Sequence, residues 1–331
     1  MPPAQRYAYQ SFDRKYVIAD GRLMSRPRPV LWSAHSDRQV YLTSLLTKFL
    51  GTGPSLTVCC AIPDLDHFSG RGQKDTVPLY RLADTSQANI LPGLFELLGE
   101  KYHRVITPED FLAYVYGALA QPSFISQFAK ELETRELRVP ITKNAVLFEQ
   151  LRAVGAHLLW LHTYGERFVP RGKQHGSIPR GKTKCTKAVP GDADSYPESF
   201  KYNATTCTLN VGDGKFAPVS PEVYEFGVSG LKVVQSWLKY RMKAGAGKKS
   251  SPLNDILPEC WISQFTTELL ELLWVLEATV DGYPEQAKLL EEVINSDLFH
   301  SDELPPVPEE MRHPPMAHET VESELDFGES S

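Results

Sequence analysis

Hydrophobic residues recur at helical spacing through a long central stretch of this chain. Thr107 is placed to cap a helix, with Pro108 at the first helical position and Asp110 three residues after the cap. Apolar residues then repeat every three or four positions as far as Leu119, and Pro122 ends the pattern. The stretch therefore begins with a capped helix that buries one face.

A second, longer amphipathic helix is predicted further along. Steps of four and three residues separate its apolar positions, Leu147, Leu151, Val154, Leu158 and Leu161. This spacing predicts about five helical turns with one apolar face. We interpret most of these side chains as a helical core.

Strand-like patterns flank these helices. Apolar and polar residues alternate within residues 5–60, which predicts an antiparallel sheet with long loops. Short strands are also predicted near residues 204–211 and 223–226, and a helix over 230–243. A final helical pair is predicted at residues 265–279 and 285–294. The fold class is therefore α+β, with an antiparallel β-rich part followed by a helical part and a C-terminal helical pair.

The order of several short motifs resembles the C-terminal specificity domain of type ISP restriction-modification enzymes. No single motif is diagnostic, and the resemblance lies in their order over about residues 5–300. The motifs are Tyr114–Gly117, Pro122, Arg138–Ile141, Leu161-His162, Gly230–Arg241, Ser251-Pro252-Leu253 and Trp261.

In that family the domain is attached to an N6-adenine DNA methyltransferase, often with a helicase and a nuclease, and it recognises the DNA target sequence. The resemblance implies two partners, double-stranded DNA and a companion methyltransferase, in restriction-modification or phage defence. It also suggests a division into a β-rich part of a target-recognition region (1–100) and a mainly helical specificity region (101–300) with a basic loop at 166–202. Residues 301–331 are acidic and Pro-rich, which predicts a disordered tail.

The distribution of charge agrees with this expectation although the total, −6, does not. Residues 251–331 contain 19 Asp/Glu and two Lys/Arg, a net charge of −17. The first 250 residues contain 33 Lys/Arg and 22 Asp/Glu, a net charge of +11. Phosphate binding requires a local positive surface rather than a positive total.

The strongest candidate for DNA contact is the basic segment, which we define as residues 167–187. It contains seven cations and no acid, and its glycines and prolines keep it irregular. Such loops follow phosphates, and an arginine can read guanine in the major groove; the alternative is an ordinary solvated loop. The seven cations are Arg167, Arg171, Lys173, Arg180, Lys182, Lys184 and Lys187.

Two further candidates are weaker. Arg71 and Lys74 lie beside glycines whose backbone N–H groups can approach a phosphate. Lys239, Arg241 and Lys243 gather at the end of a predicted helix, where cations also suit the helix dipole. An upstream arginine-rich segment is weaker still; it contains Arg22, Arg26, Arg28 and Arg38 around Trp32 and His35.

The sequence predicts no catalytic residue, metal site or cofactor. It lacks the Gly-rich loop and the Asn/Asp-Pro-Pro-aromatic motif that an adenine methyltransferase requires. The five cysteines have no CxxC spacing, which favours free thiols in a reducing compartment. With no secretory signal and no run of 18 apolar residues, we expect a cytoplasmic protein without membrane contact.

Three functional hypotheses follow from the sequence. The first is a non-catalytic DNA-recognition module. The second is a protein-interaction or regulatory module derived from such a domain, which docks a partner through its acidic C-terminal part. The third is an enzyme whose cleft is lined by His162, Tyr164 and Glu166.

Overall fold

Two small sheets and one short helix form the N-terminal part of the protein. The computed structural model describes residues 3–20, 23–24, 28–44, 53–68, 75–133, 137–243 and 257–315. The elements are β1 (Ala4–Ala8), β2 (Lys15–Ile18), α1 (Pro29–Ser33), β3 (Tyr41–Ser44), β4 (Leu56–Cys59), β5 (Ile62–Pro63) and β6 (Asp75–Pro78). The sheet orders are β2-β1-β5 and β4-β3-β6. All pairings are antiparallel except β1 with β5.

Five helices follow, and two of them pack with their backbones in contact. They are α2 (Leu94–Tyr102), α3 (Pro108–Leu119), α4 (Pro122–Gln127), α5 (Ala129–Glu133) and α6 (Ala145–His162). Thr107 and Asp110 form the predicted capping box of α3. A Cβ atom at Gly155 of α6 would collide with the carbonyl oxygen of Ala113 in α3, so this close crossing requires glycine.

A four-stranded antiparallel sheet forms in a region for which the sequence predicted a basic loop and only short strands. Its strands are β7 (Lys184–Lys187), β8 (Phe200–Asn203), β9 (Thr208–Val211) and β10 (Gly214–Ala217), in the order β7-β10-β9-β8. We call it the C-terminal sheet. It is followed by α7 (Pro221–Tyr224), β11 (Gly227–Val228), β12 (Leu231–Lys232) and α8 (Val233–Lys239).

Two predicted elements in this region were wrong in part. The strand expected at 223–226 is replaced by α7, because the Ser220 side chain caps the backbone N–H of Val223 and Pro221 occupies the first turn. The helix expected over 230–243 is confined to α8, since Leu231 and Lys232 pair instead with β11.

The predicted C-terminal helical pair is a single helix, α9 (Ser263–Ile294), although Pro284 lies inside it. A proline inside a helix removes one backbone hydrogen bond and destabilises the helix by about 3 kcal/mol. Each apolar side chain that α9 buries contributes about 1.5–3 kcal/mol, and α9 buries many on both sides of Pro284. The α+β fold class is confirmed, with one long helix in place of the pair.

This helix connects two hydrophobic cores. Leu272 and Leu276 pack into a core formed by the C-terminal sheet, α7 and α8. Leu290 and Val293 pack into a second core formed by α2, α3, α6 and the β3–β4–β6 sheet. The sequence-based division into 1–100, 101–300 and 301–331 stays a prediction.

The first half of the predicted disordered tail is packed against the N-terminal part. Arg81 donates hydrogen bonds to the carbonyl oxygens of Glu310, Met311 and His313, at 3.1, 3.4 and 2.7 Å. A buried arginine therefore satisfies three backbone carbonyls of this segment, and disorder of the tail stays a prediction. Residues 316–331 lie outside the described residues.

Candidate nucleic-acid interface

The basic segment begins with an arginine that faces the protein. Arg167 donates hydrogen bonds to the carbonyl oxygens of Gln39 (3.1 Å), Ser36 (3.4 Å) and its neighbour Glu166 (2.9 Å). All three contacts lie within the protein, so this guanidinium anchors the segment. Contact between Arg167 and DNA stays a prediction.

The next part of the segment is an ordered loop. The backbone N–H of Gly176 donates to the carbonyl oxygen of Gly165 at 2.9 Å, which closes the loop at its base. Gly165 has φ +79°, and a Cβ atom there would collide with the backbone of Ser177. Arg171 and Lys173 are exposed on this closed loop. Their backbone is held before any ligand arrives, which reduces the ordering cost of binding.

A carboxylate of α9 holds the end of the segment. Glu277 accepts hydrogen bonds from the backbone N–H groups of Lys182 (2.7 Å) and Thr183 (3.1 Å). The indole N–H of Trp274 donates to the carbonyl oxygen of Thr183 at 2.8 Å. The Lys182 ammonium lies 3.3 Å from Asp281 in an exposed ion pair. Thus Lys182 is partly neutralised, whereas its backbone is fixed.

The remaining cations of the segment project into solvent. Arg180 is exposed just before the Glu277 contact, and Lys184 and Lys187 are exposed on β7, an edge strand. Among the described residues, none of these three side chains forms an ion pair. Together with Arg171 and Lys173, they are the cations of the basic segment that remain available to an anion.

The candidate cations at the end of α8 divide into buried and exposed ones. Arg241 is 4 % exposed and pairs with Asp13 at 2.7 Å and Glu268 at 3.5 Å. Its guanidinium also lies over the Trp237 ring at 3.6 Å. Acids brought together by the fold thus hold Arg241 in the interior, and the structure gives no support to its predicted DNA contact.

Lys239 and Lys243 are exposed at the same end of α8, beside a small aromatic cluster. The ammonium of Lys15 lies between the rings of Tyr9 and Tyr240, at 4.5 and 4.9 Å from their centroids. Burial lowers the pKa of Lys15. Cation–π contacts thus hold this corner together, and Lys239 and Lys243 remain candidates for anion contact.

The other sequence candidates contribute less. Arg71 and Lys74, with Arg22 and Arg26, lie outside the described residues. Arg28 donates to the carbonyl oxygen of Pro63 at 3.1 Å, and Arg38 pairs with Glu109 at 2.9 Å. These two arginines therefore have partners within the protein.

Two lysines that the sequence did not single out belong to the same surface. Lys201 of β8 and Lys215 of β10 are exposed on the C-terminal sheet, next to Lys187 of β7. In β10, Lys215 stands between buried Gly214 and buried Phe216. This alternation of buried and exposed positions is the sequence signal that could have predicted an exposed Lys215 on a strand.

The residues of the enzyme hypothesis, His162, Tyr164 and Glu166, line a cavity of about 240 Å³. Both ring nitrogens of His162 are engaged, with the Tyr116 hydroxyl at 2.6 Å and the Thr279 hydroxyl at 2.8 Å. The Thr279 hydroxyl donates to the carbonyl oxygen of Val275, so it accepts from His162. Burial, with a contribution from His157, lowers the pKa of His162 to about 3. This imidazole is a neutral link between α3, α6 and α9, because both of its ring nitrogens are engaged by hydroxyl groups of the other two helices.

No group of three or more His, Cys, Asp or Glu side chains arranged to hold a metal ion occurs within the described ranges. Over the same ranges, every helix is too short or too polar to cross a lipid bilayer.

Comparison with known protein families decides the class of this chain. The family model of the Type ISP C-terminal specificity domain matches residues 1–272. The chain belongs to this family. The match covers most of both hydrophobic cores and all of the basic segment and the C-terminal sheet, and it ends within α9.

Solved structures with a similar fold include two Type ISP restriction-modification enzymes and a third protein in complex with DNA. The nuclease-deletion mutant of the Type ISP restriction-modification enzyme LlaGI, in complex with a DNA substrate mimic, matches 87% of this chain at 15% identity and a TM-score of 0.57. The DrdV–DNA complex matches 87% at 16% identity and 0.60. The ATP-dependent Type ISP enzyme LlaBIII bound to DNA matches 89% at 15% identity and 0.59. At this identity the likeness concerns the fold.

This specificity-domain chain is much shorter than those proteins. It spans 20% of the LlaGI chain, 28% of the DrdV chain and 18% of the LlaBIII chain. A search of curated protein sequences returned no match.

Proposed function

We propose that this chain recognises the DNA target sequence of a type ISP-like restriction-modification or phage-defence methyltransferase system and catalyses no reaction itself. The observation that carries the proposal is membership of the specificity-domain family over residues 1–272. The related proteins LlaGI, DrdV and LlaBIII, whose folds match along most of this chain, are described with DNA or a DNA mimic.

The charge distribution supports duplex DNA as the ligand. Arg171, Lys173 and Arg180 are exposed on a loop that is fixed at Gly165 and at Glu277. Phosphates attract such cations without reference to sequence, and bases are read by side chains that reach a groove. An anchored, irregular and cationic loop combines both requirements.

The proposal includes a companion N6-adenine methyltransferase that supplies the catalytic domain. The chain lacks the motifs for S-adenosylmethionine and for the flipped adenine. It also spans less than a third of each related solved chain. Modification of the target base would then depend on a domain or chain to which this module delivers the DNA.

Selection from a random duplex library tests target recognition directly. The full chain is incubated with the library at physiological salt, and bound duplexes are sequenced over several rounds. We expect a short motif to be enriched, with each mismatch costing about 1–3 kcal/mol. A variant with Arg171→Gln, Lys173→Gln and Arg180→Gln tests the loop, and Lys101→Gln, Lys130→Gln and Lys288→Gln form the matched control.

The outcomes separate recognition from general affinity. Enrichment of one motif by the wild-type chain and the control variant, with weaker binding by the loop variant, supports the proposal. Salt-dependent binding without any enriched motif would contradict target recognition, and the chain would then be a nonspecific DNA-binding module.

The interaction-module hypothesis makes a different prediction for the acidic C-terminal residues. The carbonyls of residues 310–313 bind Arg81 of the same chain, which favours an intramolecular role for this part. Deletion of residues 316–331 would tighten DNA binding if the acidic residues mask the basic segment. Unchanged DNA affinity excludes masking.

A further inference from the structure

One face of the C-terminal sheet belongs to the protein core. Leu209 and Val211 of β9 and Phe216 of β10 are fully buried on this face. Because successive side chains of a strand point to opposite faces, the residues between them point outward. The outer face is therefore defined by Asn210 on β9 and Lys215 on β10.

A row of cations crosses this outer face. The strand register places Lys215 opposite Lys187 on one side and opposite Asn210 on the other. Asn210 in turn lies opposite Lys201. An irregularity in the pairing of β7 with β10 leaves Thr186 and Lys187 both exposed. We call Lys187, Lys215, Asn210 and Lys201 the lysine row.

The lysine row has no neutralising partner within the part of the chain that the structure describes. None of its three lysines forms an ion pair there, although Asp213 lies in the adjacent β9–β10 turn. Like charges directly opposite each other on neighbouring strands are destabilising. Lys187 and Lys215 are such a pair, so this arrangement weakens the sheet unless an anion joins it.

The dimensions of the row fit a nucleic-acid backbone. Neighbouring strands lie about 4.8 Å apart, so three strand steps from Lys187 to Lys201 cover about 14 Å. One DNA strand carries a phosphate about every 3.4 Å along the helix axis, and the row is as long as about four nucleotide steps. The row is also continuous with the basic segment, since Lys187 ends both β7 and that segment.

We propose that the lysine row binds the phosphodiester backbone of duplex DNA. Lys187, Lys215 and Lys201 each neutralise a phosphate along one strand. The Asn210 amide donates one N–H to the Lys201 carbonyl oxygen at 3.5 Å, and its second N–H donates to the DNA backbone between the lysines. The row fixes the position of the duplex, because phosphate contacts set register without reading sequence. This inference rests on the proposed function and names a surface that carries it.

The salt dependence of duplex binding tests this surface. The first variant combines Lys187→Gln, Lys201→Gln and Lys215→Gln in the full chain. The matched control combines Lys101→Gln, Lys130→Gln and Lys288→Gln, three exposed lysines on α2, α5 and α9. The slope of log K against log salt is measured for each protein on several unrelated duplexes. Each lost phosphate contact reduces the magnitude of this negative slope by about 0.9.

We expect the row variant to lose about 2.7 from the magnitude of the slope on every duplex, and the control to keep the wild-type slope. The thermal midpoint of the row variant should not fall, since the substitution removes repulsion between Lys187 and Lys215. An unchanged slope in the row variant overturns this inference while wild-type binding leaves the proposed function in place. Absence of salt-dependent binding by the wild-type chain overturns both.

Discussion

Glu277 of α9 holds the backbone of Thr183 at the start of the C-terminal sheet. Its carboxylate accepts from the Thr183 N–H at 3.1 Å and also from the Thr183 hydroxyl. The two residues are far apart in sequence, and their contact joins the basic segment to the longest helix of the protein. The end of the basic segment is thus fixed to the longest helix of the protein.

Removing this carboxylate should loosen the end of the basic segment. Hydrogen bonds to a charged acceptor contribute about 1.5–3 kcal/mol each. In a Glu277→Ala variant, we expect the amide hydrogens of Lys182 and Thr183 to exchange roughly 10–100-fold faster, measured by native-state hydrogen exchange. Glu285→Ala, an exposed position on the same helix, is the control. Unaltered exchange at both amides would show that Glu277 does not hold the segment.

The buried ion pair of Asp13 and Arg241 should be important for stability. Their side chains are 2 % and 5 % exposed, and loss of Asp13 leaves the buried Arg241 with the longer contact to Glu268 at 3.5 Å. We expect Asp13→Ala to lower the free energy of unfolding by about 3–5 kcal/mol in denaturant titrations. Asp281→Ala breaks the exposed pair with Lys182 and should cost about 0–1 kcal/mol. Equal losses in the two variants would contradict the burial argument.

His162 should make stability depend on pH in the acidic range. Its pKa in the folded protein is about 3, below the ordinary value near 6.5, so the unfolded chain binds this proton first. Stability is therefore fully present above about pH 6.5 and is lost as pH falls toward 3. Between pH 7 and pH 5, the loss from this one group is about 2 kcal/mol.

A His162→Gln variant tests whether His162 causes this pH dependence of stability. We expect its free energy of unfolding to decline less between pH 7 and pH 5 than that of the wild type. His175→Gln changes an exposed histidine and should retain the wild-type pH dependence. A His162→Gln variant with the full wild-type decline would mean that the buried imidazole is not the source.

Arg81 should control the exposure of residues 309–313. Its three hydrogen bonds to backbone carbonyls hold this segment in place, and the segment contains Arg312, after which trypsin cleaves. In Arg81→Met, we expect cleavage after Arg312 to accelerate at least tenfold under native conditions, because the segment opens more often. Arg38→Met removes an exposed pair with Glu109 and should leave the rate unchanged. Equal cleavage rates in the wild type and Arg81→Met would show that Arg81 does not hold residues 309–313 in place.

Local patterns predicted the local structure well. The capping box of α3 and the apolar face of α6 follow from residues three or four apart, and the structure confirms both. Leu151, Leu158 and Leu161 were interpreted as core residues, and all three are buried. Hydrophobic periodicity is a property of neighbouring residues, so no distant contact was needed.

Features that depend on distant residues were not predicted. Two helices were predicted on either side of Pro284, but α9 continues through this residue because it packs into two separate cores. Arg241 was read as a surface cation because its neighbours are basic, whereas Asp13, 228 positions away, draws it into the core. Lys201 and Lys215 were missed because only strand register shows that they share a row with Lys187.

The most direct test of the central claim is the salt dependence of duplex DNA binding by the full chain. The exposed cations of the basic segment and the lysine row that form no ion pair with a described residue number seven: Arg171, Lys173, Arg180, Lys184, Lys187, Lys201 and Lys215. If most of them contact phosphates, the slope of log K against log salt is about −4 to −6. A slope near zero, or no binding to duplex DNA at low salt, would contradict the account.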